Sequence, residues 1–194
     1  LFMLRRDVFD KLAAGVERGQ TVLDLISPAL LSEMAQEIMD WGAAVAGIKC
    51  GHRGFYVRTA SHTRFERIGR GRPRDLNNWA ERELWHPSYC VTVASATGSG
   101  DSAIAGFISA LLRGYPIEKT LQMACAVGAH NVEALDALSG IRSWEETEAR
   151  VAQGWPLNPL SLNQEEGWHL HDGWQLWAGP SERRDEDPIN RSSG

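Results

Sequence analysis

A layered α/β fold, with helices packed on a sheet that has at least some parallel strands, is what this 194-residue sequence predicts. Two observations carry that expectation. Short β-prone runs occupy the first half of the chain, and two long apolar-striped helical stretches follow a glycine turn in the second. From the start, Val8, Phe9, Leu12 and Val16 fall on one helical face, with Gly19 as a stop. Ser27-Pro28 reads as an N-cap followed by proline at the first helical position, and Leu30, Leu31, Met34, Ile38 and Met39 carry the next apolar stripe to Trp41.

Ala43 to Ile48 is an apolar run too short for a helix, of the kind buried on both faces of a parallel strand. Phe55 to Thr59 is the next strand, joined through the turn Gly51 to Gly54, and Thr63 to Ile68 is read as a third. A loop-rich insert around Gly69 to Asn78 precedes a strand at Tyr89 to Val93. Helices then run from Ser102 to Arg113, ended by Gly114, and from Pro116 to Val132. A last helix spans Ser143 to Gln153, with Ser143 and Glu146 spaced as a capping box. Residues 155–194 read as an irregular tail whose tryptophans, Trp155, Trp168, Trp174 and Trp177, pack on the body 1–154, with the last dozen residues mobile.

Composition narrows the function classes. With 43% hydrophobic and 23% charged residues the chain is neither disordered nor fibrous. No window approaches the ~18 uninterrupted apolar residues of a membrane span, so no membrane partner is expected. The net charge of −5 argues against a general nucleic-acid binder, and the seven arginines between Arg53 and Arg74 read more readily as a solvated face than as a phosphate-binding patch. Cys50, Cys90 and Cys125 are too few and too dispersed for a disulfide framework or a thiolate metal site, which points to a reducing cytoplasm.

The stretch Ala96-Thr-Gly-Ser-Gly-Asp101 carries the chemistry. Small residues let the backbone approach an anion closely, and the amides of Gly98, Ser99 and Gly100 at a helix N-terminus build an anion hole whose helix dipole adds positive potential. No GxxxxGK[ST] spelling occurs, so a lysine-bearing P-loop is excluded. On the residues alone, Asp101 serves equally well as a helix cap after a glycine turn.

Thr97-Gly-Ser-Gly-Asp101 followed by Ala105-Gly106-Phe107 resembles the second signature of the PfkB carbohydrate kinases, the ribokinase-like family, and Ile48-Lys-Cys-Gly-His-Arg-Gly54 resembles that family's strand and turn at the nucleotide phosphates. The resemblance covers roughly residues 1–152. It implies a ribokinase-like three-layer sandwich, present here as the nucleotide-binding C-terminal half (1–154) of a longer kinase that phosphorylates a hydroxyl of a sugar-like small molecule. ATP is the implied donor, with Mg2+ carried by the nucleotide. By the same resemblance Asp101 is the general base; Gly98, Ser99 and Gly100 hold the transferring group; and Lys49, Gly51, Gly54, Thr97 and Cys125 meet the nucleotide. Arg53 either reaches a phosphate or faces solvent. Ser95 stands where the family often has Asp for a monovalent-cation site, which puts potassium activation in question, and Cys125 stands where it commonly has Asn near adenine. The alternative function is a nucleotide- or anion-binding module without catalysis. A halved sheet also implies an exposed strand edge, which either self-associates or is covered by the tail.

Asn78 to Glu81 spells the family's NxxE magnesium motif but falls between the two signatures instead of before the first, and reads as coincidence. His169, His171 and Asp172 have the donor types of a metal site with no further ligand cluster beside them, and tail histidines packed near Trp168 and Trp174 are the simpler reading, so no metal site is assigned. His130-Asn131 reads as a structural helix end.

Overall fold

The computed structural model describes residues 5–171 and 173–182. The expected mobile terminus, the start of the chain before Arg5 and Asp172 lie outside them. In chain order the elements are α1 (Arg6–Ala14), α2 (Val22–Leu25), α3 (Pro28–Asp40), β1 (Val45–Lys49), β2 (Phe55–Thr59), α4 (His62–Glu66), α5 (Leu76–Trp79), β3 (Glu83–His86), α6 (Ser99–Arg113), α7 (Ile117–Val132), α8 (Trp144–Ala152), β4 (His169–His171) and β5 (Leu176–Ala178).

The strands form one sheet in the order β1-β2-β3-β5-β4, and every pair is antiparallel. This corrects the expectation of parallel strands. β1 and β2 are joined by a turn far too short for the dozen-residue crossover a parallel pair needs, and Lys49 therefore faces Phe55 at the hairpin end. Alternation along the strands feeds two apolar layers. Phe55, Val57 and Leu84 pack under α6 and α7 with Phe107, Leu121 and Ala124, while Tyr56 and Trp85 face α3 with Leu31, Ala35 and Met39. The result is an α/β/α sandwich.

Three further expectations change. Thr63 to Ile68 lies largely in a helix, because α4 buries Phe65 against Trp79 while the Arg64 guanidinium donates to the carbonyls of Met39 in the last turn of α3 and Ala43 beyond it. Tyr89 to Val93 makes only an isolated bridge, Tyr89 to Leu157, and the strand beside β2 is instead β3. Its Glu83 is wholly buried, accepting from the Tyr56 hydroxyl at 2.7 Å and from the Ser181 amide at 2.8 Å, and both partners are distant in sequence. The tail is not irregular, since β5 pairs with β3 and Trp168 packs against Tyr56 and Trp85. The tail thus covers the outer edge of β3, and the outer edge of β1 is unpaired among the described residues.

A buried ionic cluster ties the tail to the body. Arg82 donates to Glu118 at 2.6 Å and to Glu182, and Asn78 joins it through Glu118 at 3.0 Å. The Asn78 carboxamide oxygen also accepts from the Ile117 amide at 2.8 Å and so caps α7, which gives this residue a structural task.

Candidate functional site

The start of α6 is shaped by glycine. Gly98 has φ +77°, and a Cβ there would sit 2.8 Å from both Cβ and O of Ala137, so both the left-handed backbone and the close approach of the 137 loop require glycine. The helix begins at Ser99, three residues before the sequence reading placed it, with the Ser102 amide donating to Gly98 O at 2.9 Å. The Ser99 amide turns back to Ala96 O at 3.3 Å. The amides of Gly100 and Asp101, in the first turn, have no acceptor within the helix.

Lys49, the last residue of β1, reaches this same turn. A Cβ on Gly100 would lie 2.6 Å from its Nζ, so the absence of a side chain at 100 makes room for the ammonium. Lys49 enters no ion pair among the described residues. A cation held at the positive end of a helix is unfavourable unless an anion sits with it, and the pair of features therefore forms an electropositive cradle. The turn carrying Lys49 into β2 is also set by glycine. Gly54 has φ +95°, and a Cβ there would lie 2.0 Å from His86 O.

Between these elements lies a cavity of about 310 Å³, within the usual size of a small-molecule site. Six of the ten residues singled out from the sequence line it: Lys49, Gly51, Gly54, Ser99, Gly100 and Cys125. Gly98, the N-cap of α6, is not among the lining residues. Asp101 is exposed one position beyond Gly100, and Thr97 is exposed on the loop before α6. Arg53 does not join them. Its guanidinium donates to the carbonyls of Leu23 at 2.8 Å and Ile26 at 2.6 Å and lies over Trp85, so it pins α2 to the hairpin and does not reach the cavity. Burial pushes the Cys125 thiol far above its ordinary range, which keeps it protonated and leaves it a small, weakly polar wall.

The remaining walls were not legible in the motifs. Tyr89, Val91, Val93, Ala129 and Val132 make the interior mostly apolar, and Asn158 enters from the tail. Behind them Arg150 lies 3.5 Å over Trp155, forks onto Glu133 at 2.6 and 2.8 Å, and braces His130, whose ring also packs on Trp155. Burial and the nearby Arg150 charge lower the His130 pKa. Among the described residues no group of three or more His, Cys, Asp or Glu is placed to hold a metal ion, and no helix is long and apolar enough to cross a membrane.

An electropositive helix start and a mostly apolar cavity thus lie together on one side of an α/β/α sandwich. The sequence profile of the pfkB family carbohydrate kinases matches residues 19–143, and the chain belongs to that family. A curated relative, nucleoside kinase of Methanocaldococcus jannaschii, is 36% identical over 59 residues, which are 30% of this chain and 20% of that protein. Among solved structures, a Clostridium perfringens protein provisionally assigned as a sugar kinase superposes with TM-score 0.53 at 14% identity, over 71% of this chain and 37% of its own. Ribokinase of Thermotoga maritima gives 0.49 at 19% identity, over 76% and 40%. The chain thus spans well under half the length of these relatives.

Proposed function

We propose that this chain carries the nucleotide-binding part of a kinase that transfers the γ-phosphoryl group of ATP to a hydroxyl of a sugar or related small molecule. The observation that carries the reading is the Lys49 ammonium packed on the open first turn of α6, above a cavity of nucleoside dimensions. The residues fit the group: glycine at 100 lets the Lys49 ammonium come up to the start of α6, where it and the Gly100 and Asp101 amides would be the donors to a phosphate. Mg2+ arriving with the nucleotide supplies charge neutralisation at the phosphates. Asp101, exposed at the edge of the cradle, takes the proton from the acceptor hydroxyl as the new P–O bond forms and ADP departs. Phosphoryl transfer runs through a loose transition state, so positioning by the helix start matters more than a strong base.

A second reading, binding without catalysis, applies to the chain by itself, because it spans about 40% or less of the kinases it superposes on. Titration calorimetry with Mg-ATP, paired with a sugar-dependent ADP-release assay, separates the two. Binding with no turnover favours the module, binding with turnover favours the complete reaction, and no binding removes both. Self-association through the unpaired outer edge of β1 belongs to the same proposal, with exposed Ile108 and Leu112 on α6 as further apolar surface. A monomer by light scattering would end that part of it. The division at residue 154 and a cytoplasmic location remain proposals on the same footing.

A further inference from the structure

We infer that the loop 67–74 is a second anion site, separate from the cradle at α6, and that its ligand is a small molecule carrying two or more linked phosphates. The seven arginines between Arg53 and Arg74 divide into two groups in the folded chain. Arg53 donates to the carbonyls of Leu23 and Ile26, Arg58 to the carbonyl and hydroxyl of Ser32, and Arg64 to the carbonyls of Met39 and Ala43. These three tie the hairpin and α4 to the helices beside them. The other four, Arg67, Arg70, Arg72 and Arg74, are exposed and enter no hydrogen bond or ion pair among the described residues.

The loop that carries them is held at several points. Pro73 is buried between exposed Arg72 and Arg74, and Arg72 is extended, at φ −70° and ψ 148°, as a residue before proline prefers. The Arg72 amide closes a turn onto Gly69 O at 3.3 Å, and Asp75 accepts from the Asn77 and Asn78 amides at 3.0 and 3.1 Å. Arg74 lies along the C-terminal end of α6, where a Cβ on Gly114 would meet its Nε at 2.6 Å. Arg70, Arg72 and Arg74 line an open hollow of about 590 Å³, with Gly69 and Pro73 as its other walls and no acid among them. Arg72 and Arg74 also border the neighbouring hollow, whose acids are engaged: Glu66 lies 3.6 Å from His62, and Asp75 holds its cap.

Guanidiniums gathered around one hollow repel one another, and an anion among them replaces that repulsion with attraction. Each guanidinium can fork onto two phosphate oxygens, and a loop already held in place loses little freedom on binding. Linked phosphates present enough oxygens for neighbouring arginines to share one ligand. The chain's net charge of −5 disfavours an extended polyanion such as a nucleic acid, and a hollow walled by one short loop suits a small one. Helix α6 is 15 residues long, so this hollow and the cradle at its other end lie roughly 20 Å apart. The inference does not depend on the nucleotide reading.

Calorimetric titration with tripolyphosphate tests it on the full chain carrying Lys49→Ala, which removes the cation of the cradle. Binding at one site is expected, with inorganic phosphate about tenfold weaker or worse. Adding Arg70→Gln and Arg72→Gln should weaken tripolyphosphate at least about tenfold. Adding Arg70→Lys and Arg72→Lys instead, which keeps the charge and loses the fork, should weaken it by roughly fivefold. Melting curves of all variants accompany the titrations. Absence of tripolyphosphate binding, or unchanged affinity in the glutamine pair, would overturn the site. Unchanged affinity in the lysine pair would overturn it as well, because diffuse charge would then suffice. Tighter binding of a short single-stranded DNA than of tripolyphosphate at the same arginines would overturn the assignment to a small ligand.

Discussion

Helices α6 and α8 begin in opposite ways. At α8, Ser143 Oγ accepts from the Glu146 amide at 3.2 Å while the Glu146 carboxylate accepts from the Ser143 amide at 2.9 Å, so the chain satisfies its own helix start. At α6 the cap is a left-handed glycine with no side-chain hydrogen bond, and Lys49 is brought up to the first turn from another element. One start is closed by local chemistry and the other is left open and made more positive. The difference sets a helix end closed by its own side chains beside one whose first-turn amides are open to water or a ligand, with Lys49 and Asp101 as the charges next to them.

The largest break in that comparison is Asp101→Asn. In a preparation that phosphorylates an acceptor, kcat should fall by roughly 10²- to 10⁴-fold, with nucleotide affinity little changed. A variant with near-normal kcat would return Asp101 to a plain first-turn residue like Glu146. Lys49→Ala comes next. A charge-assisted hydrogen bond contributes about 1.5–3 kcal/mol, so ATP affinity should drop roughly 10- to 100-fold, and the salt dependence of binding should flatten. Calorimetry at two ionic strengths reads both effects, and unchanged affinity would leave the cradle without its cation.

Gly100→Ala sharpens the contrast because its two expected effects have opposite signs. The added methyl must displace the Lys49 ammonium, 2.6 Å away, so ATP should bind about tenfold more weakly; yet replacing a helical glycine should raise stability by roughly 0.5–1 kcal/mol. Thermal melts and titration on the same sample check the pair.

At α8 the effects are smallest and confined to stability. Ser143→Ala should cost about 1 kcal/mol in urea unfolding and leave ATP affinity untouched. Hydrogen bonds from the Ser143 amide and hydroxyl hold the Glu146 carboxyl below its ordinary value. A depressed carboxylate contributes stability that is present above the ordinary glutamate range and lost as pH falls through the folded value. Unfolding measured from neutral to about pH 3 should show this loss shrinking in Glu146→Gln. The same loss in both proteins would mean that other carboxylates carry it.

What the sequence determined by itself is local. Ser27-Pro28 starts α3 with Ser27 Oγ accepting from the Leu30 amide, Gly114 ends α6 at φ +78°, and Ser143 with Glu146 closes α8, because caps and glycine stops act within a few residues. The two glycine-rich signatures were legible for the same reason, and Lys49 of the first packs against Gly100 of the second. Tertiary structure alone decided the rest. A buried acid such as Glu83 can lie in a central strand only once Tyr56 and Ser181 reach it, and Arg53 became a tie to Leu23 and Ile26 because those carbonyls lay within its span. Asn158 became part of the pocket only when Trp155 stacked on Tyr89 and the tail paired with residues 88–90. Each of these depends on partners about 27 to 98 positions away, where no periodicity, cap or motif carries information and only the packed chain brings the groups together.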